Sequence, residues 1–223
     1  MAAPLLIATN NPGKRAEIQA LLKATGPAQP VEQAERAGAG PLIELLLPAQ
    51  IGLHLEVVED GASYAENASR KALAFCQASG LVTLADDSGL EVEALSGEPG
   101  IHSARYGSTG KKLSDRGRRQ YLLKRLAGIP RPWQAHFHCT VAVAVPVQGE
   151  PGASPTLHFF EGQCPGEIIP EERGENGFGY DPIFLLPELG LTMAELSMAQ
   201  KNQLSHRARA VRAALPFLEK LLV

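Results

Sequence analysis

Two adjacent aspartates, Asp86 and Asp87, follow the apolar run 81–85 and precede Ser88-Gly89. Two carboxylates at the end of a buried strand repel each other and lose solvent, so the fold must compensate their charge. A hard divalent cation is one compensation, because carboxylate oxygens suit Mg²⁺, which keeps positions open for a substrate phosphate. The alternative is an ordinary turn, since Asp-Asp-Ser-Gly is a favourable turn sequence by itself.

A polar loop near the N-terminus is the second candidate for chemistry. It follows a short apolar run and precedes a helical pattern, and its residues are Thr9, Asn10, Asn11, Pro12, Gly13 and Lys14. A strand, a polar loop and a helix N-terminus offer amides, a hydroxyl and free backbone N–H groups to an anion, and Lys14 adds a full charge. The loop lacks the glycine spacing of a Walker A motif. The alternative is an ordinary turn with a surface lysine.

Composition bounds the class of protein. The 223 residues are 44% hydrophobic, which is enough to bury a substantial core as one domain or two closely joined lobes. The formal net charge of -3 argues against a protein held on a nucleic-acid polymer by bulk electrostatics. Cys76, Cys139 and Cys164 are odd in number and lack C-x-x-C spacing, which favours a reducing compartment. With no signal peptide or membrane span recognisable, we expect a soluble cytoplasmic protein.

The elements that must position these residues follow from periodicity. Ser63 and Glu66 have capping-box spacing and predict a helix over 64–79, which leads into the strand that ends at the paired aspartates. A further strand is plausible at 53–58, within a segment, 34–58, whose role the sequence leaves open.

The second half of the chain changes character. The basic stretch 111–125 predicts a helix with Arg118 and Arg119 on its solvated side. Alternation over 134–147 and a partner at 157–160 predict a hairpin, and the segment 148–155 between them is its enlarged loop. His136 and His138 share one face of this strand, which favours a satisfied sheet face over a zinc site.

Six separated segments, in order along the chain, resemble the inosine/xanthosine triphosphate pyrophosphatase family. They are Thr9-Asn10-Asn11-Pro12-Gly13-Lys14, Glu66-Asn67-Ala68, Ala85-Asp86-Asp87-Ser88-Gly89-Leu90, the stretch 99–106, the stretch 177–184 and Ser205-His206-Arg207. The resemblance covers residues 6 to about 214. It implies a mixed α/β fold with a long curved central sheet, flanking helices and two lobes around a substrate cleft, formed by one domain over 1–223.

The resemblance also implies an activity. It is Mg²⁺-dependent hydrolysis of the purine nucleoside triphosphates ITP, dITP and XTP to the monophosphate and pyrophosphate, by a cytoplasmic homodimer. Two rivals stay open. One is a nucleotide sensor that binds without turnover, and the other is a related pyrophosphatase acting on modified pyrimidine or methylated nucleotides.

Roles of individual residues come from the same resemblance. Asp87 matches the general base and a metal ligand, and the second metal ligand is Glu59, with Glu56 and Asp60 as competitors. The 9–14 loop matches the triphosphate-binding loop, from the lobe opposite Asp87. The remaining matched substrate contacts are Ser88, Phe178, Gly179, Tyr180, Asp181, Lys201, His206 and Arg207.

Selectivity has a physical explanation in this scheme. Donors such as His206 and Arg207 would pair with the 6-oxo group of hypoxanthine or xanthine and would leave the amino group of adenine unsatisfied. The sequence does not identify the residue that would reject guanine.

Overall fold

The computed structural model describes residues 3–24, 43–147 and 153–222. The helices are α1 (Pro12–Ala24), α2 (Tyr64–Ser79), α3 (Asp115–Leu126), α4 (Met198–Leu204) and α5 (His206–Leu222). The strands are β1 (Ala3–Ile7), β2 (Ile43–Leu46), β3 (Val82–Val92), β4 (Pro99–Gly100), β5 (Trp133–Val145), β6 (Thr156–Ile168), β7 (Phe184–Leu186) and β8 (Leu191–Thr192).

These strands form a mixed sheet in the order β2-β1-β3-β5-β6-β7-β8, with β4 beside β3. β1 is parallel to both β2 and β3, whereas β4, β7 and β8 pair antiparallel to their neighbours. The mixed α/β class predicted from the sequence is therefore confirmed. The chain divides into two compact units. That they form one domain around a cleft stays a prediction.

The first unit contains the described residues of 1–87, 140–162 and 207–223. Its core packs Leu6 and Ala85 of the sheet against Ala68, Ala72 and Phe75 of α2. Because these α2 residues recur at helical spacing, they form one apolar face.

The predicted bounds of α2 are confirmed. Ser63 Oγ accepts the Glu66 N–H at 3.1 Å, while the Glu66 carboxylate accepts from Ala62 N–H at 2.9 Å. The Ser63 half of the capping box is therefore present, and the glutamate bonds one residue earlier than the motif requires.

The second unit contains residues 88–139 and 163–206. Its core includes Trp133, Phe137 and Phe184, packed with Leu122 and Leu126 of α3. The Phe137 and Phe184 ring centroids are 4.4 Å apart. This cluster supports the strand ends and loops that carry several of the predicted site residues.

Two arginines of α3 contradict the sequence prediction. Arg118 and Arg119 are buried, not solvated. Arg118 bonds the Leu113 carbonyl and Asp115, and Arg119 bonds the Gly179 carbonyl and Glu172. Helical periodicity missed them because their burial is compensated by partners that are, for Arg119, more than fifty residues away.

Other expectations have mixed outcomes. Residues 53–58 form no regular strand, and the strand predicted at 81–85 continues to Val92. Alternation correctly predicted β5, and β6 lies beside it. Most of the loop 148–155 and part of the segment 34–58 lie outside the described residues. Over the part of the chain that the structure describes, no helix is both long and apolar enough to cross a membrane.

Candidate active site

The N-terminal loop is shaped by its own side chains. Asn11 Oδ1 accepts the N–H groups of Gly13 at 2.9 Å and Lys14 at 3.2 Å, and Thr9 Oγ1 accepts the Asn11 N–H at 3.2 Å. Asn11 thus caps α1, which begins at Pro12. The expectation of free backbone N–H groups at this helix end is wrong for Gly13 and Lys14. What the loop offers an anion is chiefly the Lys14 ammonium.

The paired aspartates lie in the middle of β3, so the alternative of a turn is wrong. Successive side chains on a strand point to opposite faces, which separates the two carboxylates despite their adjacency. Asp86 is 1% exposed and Asp87 is 7% exposed. Both buried carboxylates therefore need compensating partners, and Lys14 contacts both of them.

Asp86 is compensated by two cations. Lys14 Nζ and Arg207 Nε each lie 3.2 Å from Asp86 Oδ2. Burial opposes ionisation of this carboxyl, but the charges of Lys14, Arg207 and Lys71 outweigh it and hold the Asp86 pKa well below its usual range. Asp86 is therefore a permanent carboxylate.

Arg207 is predicted as a substrate contact, and the structure places it in a buried ion network. Its side chain is 1% exposed, and its guanidinium contacts Glu17 as well as Asp86. Its substrate contact stays a prediction, and its observed partners are these two buried carboxylates.

Asp87 has a different environment. Much of it is formed by Asn67 and Lys71, to which the sequence analysis assigned no role. Asn67 Nδ2 donates to Asp87 Oδ2 at 3.0 Å, while the ammoniums of Lys14 and Lys71 lie 3.9 and 4.0 Å from Oδ1. Burial raises the pKa of Asp87 more than Lys14, Lys71 and Asn67 lower it. A buried carboxylate with a raised pKa is a candidate general base.

A signal for the two missed residues was present in the sequence. Asn67 and Lys71 are four residues apart on α2, next to the apolar positions Ala68 and Ala72. Polar residues at helical spacing beside a buried face indicate a polar partner across that face. The partner is Asp87.

Glu59 is the predicted second metal ligand. Its Oε2 lies 2.6 Å from the Lys71 ammonium, which is also 4.0 Å from Asp87 Oδ1. Among its competitors, Asp60 pairs with Arg70 and Glu56 lines a pocket. Within the described residues no three His, Cys, Asp or Glu side chains form a metal-binding group. Two carboxylates around one positive charge nevertheless fit Mg²⁺, which binds few protein ligands and leaves positions for phosphate oxygens.

A pocket of about 520 Å³ lies beside the N-terminal loop, within the first unit. Asn10 Nδ2 donates to the Leu55 carbonyl across it at 3.3 Å, which ties the loop to the segment 53–56. Its lining comprises Thr9, Asn10, Asn11, Arg15, Leu47, Pro48, Ala49, Leu53, His54, Leu55 and Glu56.

The glycine-rich segment of the second unit is held by an ion pair. Asp181 Oδ2 accepts from Phe178 N–H at 2.9 Å and from the Lys201 ammonium at 2.8 Å. Lys201 is 4% exposed, and its nitrogen lies 5.3 Å from the centroid of the Phe178 ring. Tyr180 is also buried, and its hydroxyl donates to the Ser103 carbonyl at 3.0 Å. The structure thus brings together four of the predicted residues in this unit.

Of the last two predicted contacts, His206 is the first residue of α5 and Ser88 lies within β3. The buried His206 ring stacks on Phe137 with centroids 4.7 Å apart and planes 16° from parallel. Ser88, on β3, is partly exposed.

The expectation that Lys14 and Asp87 come from opposite lobes is wrong, because both belong to the first unit and form an ion pair.

Taken together, the mixed α/β fold and a buried carboxylate beside two lysines define a protein equipped to bind and process a phosphorylated ligand. The chain belongs to the Ham1 family, whose model matches residues 5–217.

Curated relatives of this chain are similar over nearly its whole length. The dITP/XTP pyrophosphatase of Desulforamulus reducens is 41% identical over 220 residues, which are 98% of this chain and 97% of the relative. The dITP/XTP pyrophosphatase of Geobacillus kaustophilus is 42% identical over 208 residues, which are 93% of this chain and 90% of the relative.

Solved structures show the same likeness. The Ham1 protein of Staphylococcus aureus matches with a TM-score of 0.76 and 35% identity, covering 98% of this chain and 99% of its own. A HAM1 protein from Coxiella burnetii matches with a TM-score of 0.75 and 34% identity, covering 99% and 98%.

Proposed function

We propose that this protein hydrolyses the non-standard purine nucleoside triphosphates ITP, dITP and XTP to the monophosphate and pyrophosphate. One observation carries the proposal: the buried Asp87 carboxylate lies within 4.0 Å of the Lys14 and Lys71 ammoniums. It occurs in a chain whose relatives are named dITP/XTP pyrophosphatases. Such a cluster combines a base for water with positive charge for phosphate oxygens.

Asp87 acts as the general base in this proposal. Asn67 holds one carboxylate oxygen, Oδ2, by a hydrogen bond of 3.0 Å, so Oδ1 takes the proton from the attacking water. The raised pKa of Asp87, caused mainly by burial, makes it a stronger base than an exposed aspartate. Asp86, whose pKa is held low, stays ionised and holds Lys14 in place.

Lys14 and Lys71 supply the charge that a polyphosphate requires. Each ammonium contacts a carboxylate and has three N–H donors, so Lys14 and Lys71 can bind phosphate oxygens while they keep Asp86 and Glu59 as partners. They neutralise the triphosphate and the leaving pyrophosphate.

Asp87 and Glu59 are the residues that would hold Mg²⁺. When bound, the cation would neutralise phosphate charge and polarise the phosphorus that water attacks. The convergence of the two carboxylates on the Lys71 ammonium supports this assignment. Glu56 is the rival ligand, because it lines the pocket beside the N-terminal loop.

Base recognition is proposed for the segment 178–181, with His206 and Arg207 as donors to the base, and Ser88 and Lys201 are the remaining proposed substrate contacts. In the second unit, the Phe178 ring would stack on a purine, and the Asp181–Lys201 pair fixes its backbone. The same proposal includes a homodimer in the cytoplasm, acting on the free nucleotide pool.

Pyrophosphate release from ITP with Mg²⁺ tests the activity directly. Turnover of ITP, XTP, dUTP and GTP is compared under one condition, and a preference for dUTP would defeat the substrate assignment. Binding of ITP without any turnover would instead support a nucleotide sensor.

Asp87→Asn tests the assigned base. We expect a loss of kcat of about 100-fold or more, with folding and much of the nucleotide affinity retained. Glu188→Gln is the control, since Glu188 is an exposed carboxylate that has no part in the proposed site. Equal loss in both variants, or full activity of Asp87→Asn, would place the base elsewhere.

The metal ligand is tested by Mg²⁺ titration of activity. Glu59→Gln is expected to raise the Mg²⁺ concentration for half-maximal activity by about tenfold or more, whereas Glu56→Gln leaves it unchanged. The reverse pattern would assign the ligand to Glu56.

A further inference from the structure

The peptide groups of Gly179 are held on both sides by helix α3. Asp115 Oδ2 accepts the Gly179 N–H at 2.6 Å, and Arg119 Nη1 donates to the Gly179 carbonyl at 2.8 Å. Both are bonds between a charged side chain and the backbone, which are shorter and stronger than neutral ones. The backbone immediately after Phe178 is therefore fixed in both directions.

Both side chains are themselves held in place. Asp115 Oδ1 bonds Arg118 Nη2 at 2.6 Å, and Arg119 Nη2 bonds Glu172 Oε2 at 2.8 Å. Asp115 and Arg119 are four residues apart and lie on the same face of α3. Because the other carboxylate oxygen of Asp115 and the other amino group of Arg119 are paired, neither side chain can leave Gly179 without straining another ion pair.

The opposite side of the segment is fixed independently. Asp181 accepts from the Phe178 N–H and pairs with Lys201, and a Cβ at Gly177 would lie 2.1 Å from Asp181 Oδ2. Gly177 has φ of +80°, a conformation that favours glycine. The Phe178 ring thus projects from a backbone that is tied before and after it.

Holding the loop with Arg119 requires burial of a charged side chain. Burying a guanidinium costs solvation energy, and a neutral donor would satisfy the Gly179 carbonyl at lower cost. The planar guanidinium, however, spans the loop carbonyl and Glu172 at once, which fixes direction as well as distance.

We propose that Asp115 and Arg119 are positioning residues for base recognition, which set where Phe178 meets the purine. The proposal rests on the function proposed above, in which the segment 178–181 contacts the base. Neither residue touches the reacting phosphates in this scheme. Their loss therefore alters affinity and base selectivity, not the chemical step.

Steady-state kinetics of Arg119→Ala is the first test. We expect KM for ITP to rise about tenfold, kcat to change less than about threefold, and the ratio of kcat/KM for ITP over GTP to fall. Arg119→Lys retains one charged donor and should recover part of the loss. Arg116→Ala is the control, because it removes the same charge from an exposed position of the same helix.

Hydrogen exchange of the nucleotide-free protein gives a readout that does not need activity. In Arg119→Ala, amides of the segment 177–181 should exchange at least about tenfold faster than in the wild type, with Arg116→Ala unchanged. Unchanged exchange would overturn the positioning role. If the wild type fails to hydrolyse ITP but the exchange result holds, the proposed activity is wrong, whereas the restraint of Gly179 by Asp115 and Arg119 is supported.

Glu172→Gln serves if Arg119→Ala does not fold. Glu172 is exposed, and this change weakens only the outer contact of Arg119. A smaller KM increase in the same direction supports the proposal. A fall in kcat at constant KM in any of these folded variants would overturn it.

Discussion

Substitution of Arg207 distinguishes a structural role of this residue from a role in substrate binding. Its guanidinium contacts the carboxylates of Glu17 and Asp86, which are 3% and 1% exposed. Arg207→Met keeps much of the side-chain volume and removes the charge. The variant leaves Glu17 without this cation and Asp86 with one cation fewer.

The expected cost follows from the burial of these groups. Removing one partner of a buried ion pair typically costs about 3–5 kcal/mol, because the remaining charge has lost its solvent and its partner. Lys14 still faces Asp86, so we expect the lower half of that range for this contact, with Glu17 adding to it. For a chain of this length, about 3 kcal/mol lowers Tm by roughly 6–12 °C.

Urea denaturation and thermal melting measure this effect without any nucleotide. Arg209→Met is the matched control, since Arg209 is an exposed arginine on the same helix and should change stability by less than about 0.5 kcal/mol. Adding Glu17→Met to Arg207→Met should cost less than the sum of the single changes, because the stranded carboxylate is removed. If Arg207→Met is as stable as the control and only KM rises, the ion-network reasoning is refuted and Arg207 serves the substrate alone.

Two further predictions use the same logic. Gly190 has φ of +64° and open space around it, so Gly190→Ala should lower the free energy of unfolding by about 1–2 kcal/mol, the cost of a left-handed backbone. Gly177→Ala should lower it by at least about 1 kcal/mol more, because the new Cβ would collide with Asp181. Equal urea midpoints for the two variants would contradict the collision. Asn67→Asp keeps the acceptor for its backbone partner but replaces the donor to Asp87 with a like charge. ITP turnover at neutral pH should fall about tenfold or more, and unchanged kcat would mean that Asn67 does not support the base.

The sequence predicted best where local rules agree with the fold. The helix over 64–79 has a serine cap, a following glycine and an apolar face of small residues, and the structure has the same bounds. The last helix, α5, likewise has a buried stripe at helical spacing, formed by Ala208, Val211, Leu215 and Leu218. In these segments the information lies within a few turns of the chain, so periodicity is sufficient.

The paired aspartates show where such reasoning stops. Asp-Asp-Ser-Gly is a favourable turn sequence, yet Asp86 and Asp87 continue a strand. The strand is possible because Lys14, Asn67, Lys71 and Arg207 compensate the carboxylates from three other elements. Local propensity does not include those partners, since they are 16 to 121 residues away, and tertiary contacts override it.

The same physics explains why the candidate site was found more easily than its support. A carboxylate or a lysine can be recognised by type, because few residues suit proton transfer or phosphate binding. Residues that only hold others in place, such as Arg119, are chemically ordinary, and their role depends on which distant atom they reach. In the second unit a buried arginine restrains a glycine peptide, and in the first a buried arginine restrains Asp86. In both cases an interior charge restrains a neighbouring polar group, so burial of an unexpected arginine indicates that tertiary partners, which no local pattern contains, determine its position.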